Sequence, residues 1–341
     1  MKSLISIIIV TRNEADYIED CLASVISQLG EHHPRAEKQS KWKSEYDFEL
    51  IIVDGMSTDG TMEIARNWCT ANEVQAVLLE NPKKTLAAGW NIGITNSKGE
   101  FLVRPDAHAK LHPGYILICM KALENFPEAG AAGGRLETKS KGRIGEVIAK
   151  VLSSRVGVGN SSFRTSQVAG FQDTVVYGVY RREVFEKAGL FNESLTRHQD
   201  TEFHHRMKEK GYRFYFEPEA IADYYCRRDM SSLVKQYFNI GYYLPDLLKS
   251  GYRRAVRPRH MAPAGFYTAC ILLIVLGCRY EPFSVAGKFL LGTYLVVLAV
   301  ESLRISISER SIRYLSSFLI FILIHAAYAI GTVSGILKSS K

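Results

Sequence analysis

Asp106 and His108 stand one residue apart in the stretch FLVRPDAH, Phe101–His108. The stretch reads as a buried strand that stops at Pro105 and then presents a carboxylate and an imidazole. Side chains at i and i+2 of an extended segment point the same way, so the two can grip one divalent ion together. A cation held at a strand's carboxyl end suits the diphosphate of a nucleotide, because such metals keep few protein ligands and share phosphate oxygens. The competing reading is a strand end carrying a turn aspartate and a surface histidine. A motif this short matches by chance, and its neighbours decide between the two.

The elements that must position this pair follow from apolar patterning. Leu4–Val10 and Glu49–Val53 are buried strands, Val74–Leu79 is a third, and Gly99 turns the chain into the strand that carries the pair. Helices are expected over about Ala15–Gln28, with Asn13 as N-cap, over Thr61–Thr70 and over Thr85–Asn96. Strand and helix alternating at this spacing predict a parallel, doubly wound α/β sheet. Right-handed crossovers then bring Thr11–Glu14, Asp54 and Asp106–His108 to one crevice. Asp54 can accept hydrogen bonds from a base or ribose there, and Asp59 either joins it or caps the following helix. No glycine-rich phosphate loop follows the first strand, so a nucleotide must be held by side chains and a metal.

Further on, helices are expected at Gly114–Asn125, Arg182–Ala188 and Thr201–Lys210, and strands at Ala131–Leu136, Val175–Tyr180, Tyr212–Phe216 and Ala220–Cys226. Gly30–Tyr46 reads as a polar surface insertion. Thr138–Phe171, rich in Gly, Ser, Lys and Arg, reads as a loop region that orders on binding.

The chain carries 43 Lys and Arg against 35 Asp and Glu, and the excess sits in the tail. From Lys249 to Lys341 there are twelve basic and three acidic residues, whereas the rest is nearly neutral. A neutral front argues against nucleic-acid binding, and a basic tail fits anionic lipid. The six scattered cysteines form no C-x-x-C pair and read as core residues of a reducing compartment. The start, MKSLISIIIVTRNE, does not read as a signal peptide, which leaves the front domain in the cytosol.

Ser231–Leu248 has helical apolar spacing and precedes Arg253, Arg254, Arg257 and Arg259, the pattern of an interfacial amphipathic helix. Three apolar stretches follow, at about Ala264–Cys278, Phe283–Val300 and Tyr314–Leu337. Placing the arginines before the first stretch and between the second and third in the cytosol demands a hairpin and one further span, with the carboxyl terminus outside. The alternative is a re-entrant or interfacial first pair. The expected division is residues 1–230 for the catalytic domain, 231–260 for the interfacial segment and 261–341 for the membrane region.

IIIVTRNEADYIEDCLASV, IIVDGMSTDGT, AAGWNIGI and RPDAH, in this order, resemble the family 2 glycosyltransferases of GT-A fold, and the likeness runs from about Leu4 to Gly251. The resemblance implies a nucleotide-sugar donor, usually UDP-linked. It implies that Thr11, Asn13 and Glu14 line the nucleotide and that Asp54 binds uracil or ribose, with Asp59 and Arg104 also on the donor side. It places Asp106 on the metal that holds the diphosphate, with His108 at the second acidic position of the family's D-x-D. Imidazole is the softer ligand, so Mn2+ is expected to serve better than Mg2+. HQDTE resembles the family's E-D segment with Gln199 in place of the first acid, which makes Asp200 the general base; the bland alternative is that Asp200 caps its helix. Only Gln236 matches the Q-x-x-R-W motif of relatives, which argues against a processive polymerase.

The whole pattern looks most like the succinoglycan-type glucosyltransferases of bacterial exopolysaccharide assembly. That implies inverting transfer of one sugar, glucose, from a UDP-sugar to a saccharide on a polyprenyl diphosphate. It also implies a multi-pass protein of the inner or plasma membrane with a cytoplasmic catalytic domain, working beside polysaccharide-assembly partners. The rivals are a polyprenyl-phosphate sugar synthase and a membrane-anchored sugar-nucleotide-binding protein without activity.

Overall fold

The computed structural model describes residues 2–29, 46–159, 161–256 and 258–338. The insertion expected at Gly30–Tyr46 falls outside the described residues, apart from Tyr46 itself. The chain forms two compact units, one of residues 1–137 and 162–225, the other of residues 138–161 and 226–341. The second unit thus takes in a segment from the middle of the catalytic region as well as the tail.

In chain order the first unit begins with β1 (Ser3–Thr11), α1 (Ile18–Ile26), β2 (Tyr46–Asp54), α2 (Thr61–Ala71), β3 (Ala76–Glu80), α3 (Leu86–Thr95), β4 (Phe101–Val103), β5 (Ala109–Leu111), α4 (Tyr115–Asn125) and β6 (Ala129–Lys139). After α5 (Arg143–Ser153) and α6 (Arg155–Val158) of the second unit come α7 (Ser162–Thr165), β7 (Gly170–Gln172), β8 (Val179–Arg181), α8 (Glu183–Ala188), α9 (Gln199–Glu209) and β9 (Arg213–Tyr225).

These strands form one sheet in the order β3-β2-β1-β4-β8-β6-β9-β5, with β7 also on β9. The strands β3, β2, β1 and β4 run parallel, as alternating strands and helices require. β8 pairs antiparallel with β4 and β6, and β9 pairs antiparallel with β5 and β7. β1 pairs with β2 over its whole length, so Thr11 and Asp54 lie side by side at the carboxyl edge. Both faces of β1 are covered. Ile5, Ile7 and Ile9 enter a core with Leu22 and Tyr115, and Ile8 and Val10 enter another with Trp90, Ile94 and Phe203. That is why its sequence is an unbroken apolar run rather than an alternating one. Each such side chain stabilises the fold by roughly 1.5–3 kcal/mol.

Expectations for the sheet and its connections need correction. The strand expected to end at Pro105 is shorter and Asp106–His108 is not extended: β4 stops at Val103, Asp106 bridges Val10, and Ala109 N–H donates to Asp106 O at 2.9 Å, closing a turn that carries His108. Thr138–Phe171 is largely helical, because α5 sets Val147, Ile148, Val151 and Leu152 on one buried face. The two short strands expected around Pro218 are one, β9. Pro218, which cannot donate to a ladder, falls between the stretch paired with β7 and the stretch paired with β5.

The second unit continues with α10 (Met230–Tyr242), α11 (Leu244–Lys249), α12 (Pro258–Gly277), α13 (Glu281–Ser308) and α14 (Ser317–Lys338). The single helix expected over Ser231–Leu248 is two, with Pro245 in the first turn of the second. Among the described residues, three segments are long and apolar enough to cross a membrane: His260–Gly277, Glu281–Ser308 and Ile312–Lys338. Lys150 pairs with Glu309 at 2.6 Å, and Arg313 pairs with Glu146, so α5 is tied to the turn between α13 and α14.

Candidate active site

The crevice is built on the edge where β1, β2 and β4 end. Thr11 is buried, its carbonyl accepts from Gly55 N–H at 2.8 Å, and its hydroxyl finds no partner among the described residues. Asp54 is buried and accepts from the amide of Ser57 at 2.9 Å and from its hydroxyl at 2.5 Å. Asn13 adopts a left-handed backbone, φ 56°. Its amide donates to the Ser57 hydroxyl, and its side-chain oxygen accepts from Thr58 N–H at 2.9 Å. It therefore staples the loop after β2 and is not the N-cap of α1; that position belongs to Tyr17, and the first turn hangs on the carbonyl of Glu14. Asp59 accepts from Ala15 N–H, Thr61 N–H and the Thr61 hydroxyl. Burial acts to raise its pKa, but those hydrogen bonds outweigh it and hold the carboxyl below its usual range. Asp59 thus ties the start of α2 to the loop between β1 and α1.

Asp106 and His108 sit on the turn after β4. The Asp106 side chain is 34% exposed, and Cys21 Sγ contacts its carbonyl at 3.4 Å. Desolvation raises the Asp106 pKa, His108 opposes that rise and the charge of Asp200 adds to it. His108 Nδ1 lies 3.1 Å from Glu14 Oε1, and its Nε2 lies 4.0 Å from Asp106 Oδ2. The Glu14 contact orients the ring and leaves Nε2 on the side of Asp106, the arrangement that raises a ligand's basicity. Two adjacent ligands at about 2.1 Å from one octahedral ion stand about 3 Å apart, so a closure of about 1 Å would let both bind. No group of three or more His, Cys, Asp or Glu suited to a metal occurs among the described residues. A hard carboxylate and an imidazole with the rest of the shell left to phosphate and water fit a divalent ion shared with a nucleotide.

Arg104 departs from its expected place on the donor. Its side chain is 6% exposed, and its guanidinium carbon lies 4.3 Å from the ring centre of Trp90, 4.4 Å from that of Phe191 and 5.2 Å from that of Tyr180. One Nη donates to Asp200 Oδ1 at 2.7 Å and the other to the Tyr180 hydroxyl at 3.3 Å. The motif AAGWNIGI builds this cage. Trp90 is its wall, Asn91 holds the backbone of Phe191 in both directions, and Gly93 lets α3 lie against Ile8 where a Cβ would overlap that side chain. Tyr180 in turn contacts His204 Nε2 at 2.8 Å, and His204 Nδ1 contacts the Thr174 hydroxyl at 2.7 Å. Burial pushes the His204 pKa down to about 3, so the ring is neutral. Trp90, Tyr180, Phe191 and His204 were not singled out from the sequence, although Trp90 sits inside the AAGWNIGI motif.

Asp200 occupies the first turn of α9, after His198 in the left-handed region at φ 64°. Its side chain is 49% exposed, so one oxygen meets Arg104 and the carboxylate still opens to solvent. Burial would raise its pKa; the Arg104 charge and hydrogen bond outweigh that and keep it below the usual range. Gln199, at the position of the family's first acid, is buried, where a neutral amide avoids the desolvation a carboxylate would suffer. Glu202 is fully buried and paired through both oxygens with Arg206. Nine of the ten expected site residues lie in the first unit; Gln236 lies on α10 of the second.

Among curated proteins, a Methanococcus voltae dolichyl N-acetyl-α-D-glucosaminyl phosphate 3-β-D-2,3-diacetamido-2,3-dideoxy-β-D-glucuronosyltransferase is 25% identical, over 99% of each chain. The succinoglycan biosynthesis protein ExoA of Rhizobium meliloti is 28% identical, over 84% of this chain and 83% of its own. Among solved structures, the mannosyltransferase PcManGT of Pyrobaculum calidifontis, in complex with GDP-Man and Mn2+, superposes with a TM-score of 0.64. It covers 99% of this chain and 88% of its own at 18% identity, a likeness of GT-A fold. The model of the family described as glycosyl transferase family 2 matches residues 6–189, more than half of the chain. Its span holds the β1–β2 edge and the Asp106 turn, and the chain belongs to that family of glycosyltransferases.

Proposed function

We propose that the protein transfers one sugar, with inversion, from a UDP-sugar to a saccharide carried on a polyprenyl diphosphate, with glucose as the sugar. The observation that carries this reading is the placing of two carboxylates around one buried cation. Asp200 is bonded to Arg104, and Asp106 lies within electrostatic reach of both. One carboxylate is suited to proton transfer and the other to holding a metal on a diphosphate. The acceptor hydroxyl oxygen attacks the anomeric carbon while Asp200 Oδ2 takes its proton. The bond from that carbon to the diphosphate oxygen breaks, and the nucleoside diphosphate leaves with the electron pair. Asp106 and His108 would hold a divalent ion, which when bound would supply electrostatic stabilisation to the departing diphosphate, with Mn2+ favoured by the imidazole. Thr11, Asn13, Asp54 and Asp59 shape the nucleotide side of the crevice.

The lipid-linked acceptor is supported by the dolichyl phosphate in the name of the M. voltae relative and by three apolar helices long enough to enter a bilayer. The nucleotide sugar and metal in the PcManGT complex support a donor and cofactor of that class. The reading places the protein in the inner or plasma membrane with the first unit on the cytoplasmic side.

The test is incubation of membranes bearing the full chain with a panel of labelled nucleotide sugars, followed by analysis of the lipid fraction. Label passing into a saccharide–lipid from UDP-glucose is the expected result. Label entering a polyprenyl monophosphate directly, with Asp200→Asn fully active, would replace this reading with a polyprenyl-phosphate sugar synthase. No label from any donor would remove it.

A further inference from the structure

The three apolar helices are unlike one another in their surroundings. In the most apolar windows of α12 and α13, 11% of residues are buried; in the window that runs into α14, 44% are. Large exposed apolar residues are spread around α13: Phe283, Val285, Phe289, Leu291 and Val296 point in divergent directions. On α14, five of the six such residues, Leu319, Leu323, Ile330, Val333 and Leu337, fall within about 80° of one another at 3.6 residues per turn. α14 has one apolar face open and the other covered.

Part of that cover is α12 and α13, through Tyr267 on the Ile322 carbonyl at 3.4 Å and Tyr294 on His325 at 3.1 Å; the rest is polar protein. A Cβ on Gly157 would meet Phe321, and His325 Nε2 contacts the carbonyl of Val156 at 3.0 Å, so α6 lies on the first half of α14. α10 lies on the second half. A Cβ on Gly331 would overlap the carbonyl of Phe238, one on Gly335 that of Tyr242, and one on Gly241 that of Tyr328. Lys338 lies over the ring of Tyr242 at 4.9 Å. The covering therefore reaches from Phe321 to Lys338, about 25 Å of helix.

Both polar elements of the cover belong to the catalytic side by chain connection. α5 and α6 lie within the 24-residue segment 138–161, which leaves the first unit and returns to it. α10 follows β9 of that unit after four residues and, with α11, carries Lys235, Gln236, Asn239, Asp246 and Lys249. Neither is apolar enough to sit in hydrocarbon. Were α14 to cross the bilayer, it would drag both through most of its thickness of about 30 Å.

We propose that α14 does not cross. It lies along the membrane surface with the Leu319–Leu337 stripe in the acyl region, and the partner of that stripe is the lipid bilayer itself. The chain then crosses twice, through α12 and α13, and its carboxyl terminus stays on the side of the catalytic unit. This overturns the three-span arrangement expected from length and loop charge, and it does not depend on the donor or acceptor.

Two measurements on the full chain in membranes test it. Cys278, between α12 and α13, is the single exposed cysteine and reports the hairpin's tip. In intact cells a membrane-impermeant maleimide is expected to label Cys278, while a carboxyl-terminal epitope is reached only after permeabilisation. An epitope reached in intact cells, or a Cys278 that is not, overturns the proposal. Spin labels at Leu319→Cys, Ile330→Cys and Leu337→Cys in a Cys278→Ser chain give depth in vesicles of mixed zwitterionic and anionic phospholipid. Depths within about 5 Å of one another support a surface helix; a spread approaching 27 Å, the helical rise from 319 to 337, refutes it.

Discussion

Replacing Arg104 by methionine tests the base assignment where it is most exposed to failure. The substitution keeps an apolar, unbranched filler between Trp90 and Phe191 and removes the 2.7 Å bond to Asp200. A hydrogen bond to a charged group contributes ~1.5–3 kcal/mol. The fuller penalty of breaking a buried pair does not apply, because Asp200 is 49% exposed and its freed oxygen can hydrate. If that energy holds the carboxylate in its reactive orientation, kcat falls about 10- to 100-fold while the donor KM changes little. The charge that keeps the Asp200 pKa low is lost as well. Its ionised form then appears only at higher pH, and the acid limb of the rate profile moves upward. Steady-state kinetics on purified enzyme across pH, with a thermal melt to confirm folding, measure all three. A kcat within threefold of the parent with an unmoved acid limb would refute the reasoning, as would a rise in donor KM at constant kcat, which would place Arg104 on the donor.

Three more outcomes follow from the same site. Asp200→Asn should lower transfer at least 1,000-fold while titration calorimetry still shows nucleotide-sugar binding; a variant retaining most of its rate ends the base assignment. His108→Asp should narrow the advantage of Mn2+ over Mg2+ by about tenfold, read as the ratio of kcat/KM in the two metals, and an unchanged ratio removes His108 as a ligand. His204 is protonated in the unfolded chain below its ordinary pKa of 6.5 but in the folded chain only below about 3. Stability contributed by its neutral form is therefore present above pH 6.5 and is lost as pH falls toward 3, at about 1.4 kcal/mol per pH unit. His204→Gln, which cannot take the proton, should flatten that part of the stability curve in chemical denaturation; an unaltered slope would show that the imidazole is not the group responsible.

The edge that carries Thr11, Asp54 and Asp106 was legible because it obeys local rules. Each of Thr11, Asp54 and Asp106 ends an apolar run, and parallel pairing sets such ends side by side. What escaped the sequence depends on contacts far apart in the chain. Arg104 reads as a donor contact because it precedes Asp106, yet its partner is 96 residues away and its cage comes from α3 and the loop after α8. The turn at Asp106–His108 escaped for a different reason: its alternation of Asp, Ala and His fits an extended strand equally well, and only the 2.9 Å bond from Ala109 to Asp106 distinguishes them. The helices in 138–165 escaped because their glycines and serines resemble a loop, whereas α5 draws its helicity from packing an apolar face.

The ion pairs that tie α5 to the turn before α14 are of a different kind from the one between Arg104 and Asp200. Arg313 and Glu146 are each more than two-fifths exposed, as is Lys150, and its partner Glu309 is 28% exposed, so dissolved salt can compete for them. Arg104, stacked among rings, is shielded from mobile ions. Raising ionic strength should therefore loosen the fastening of α5, through lost pairing at Glu146 and Lys150, well before it alters the charge felt by Asp200.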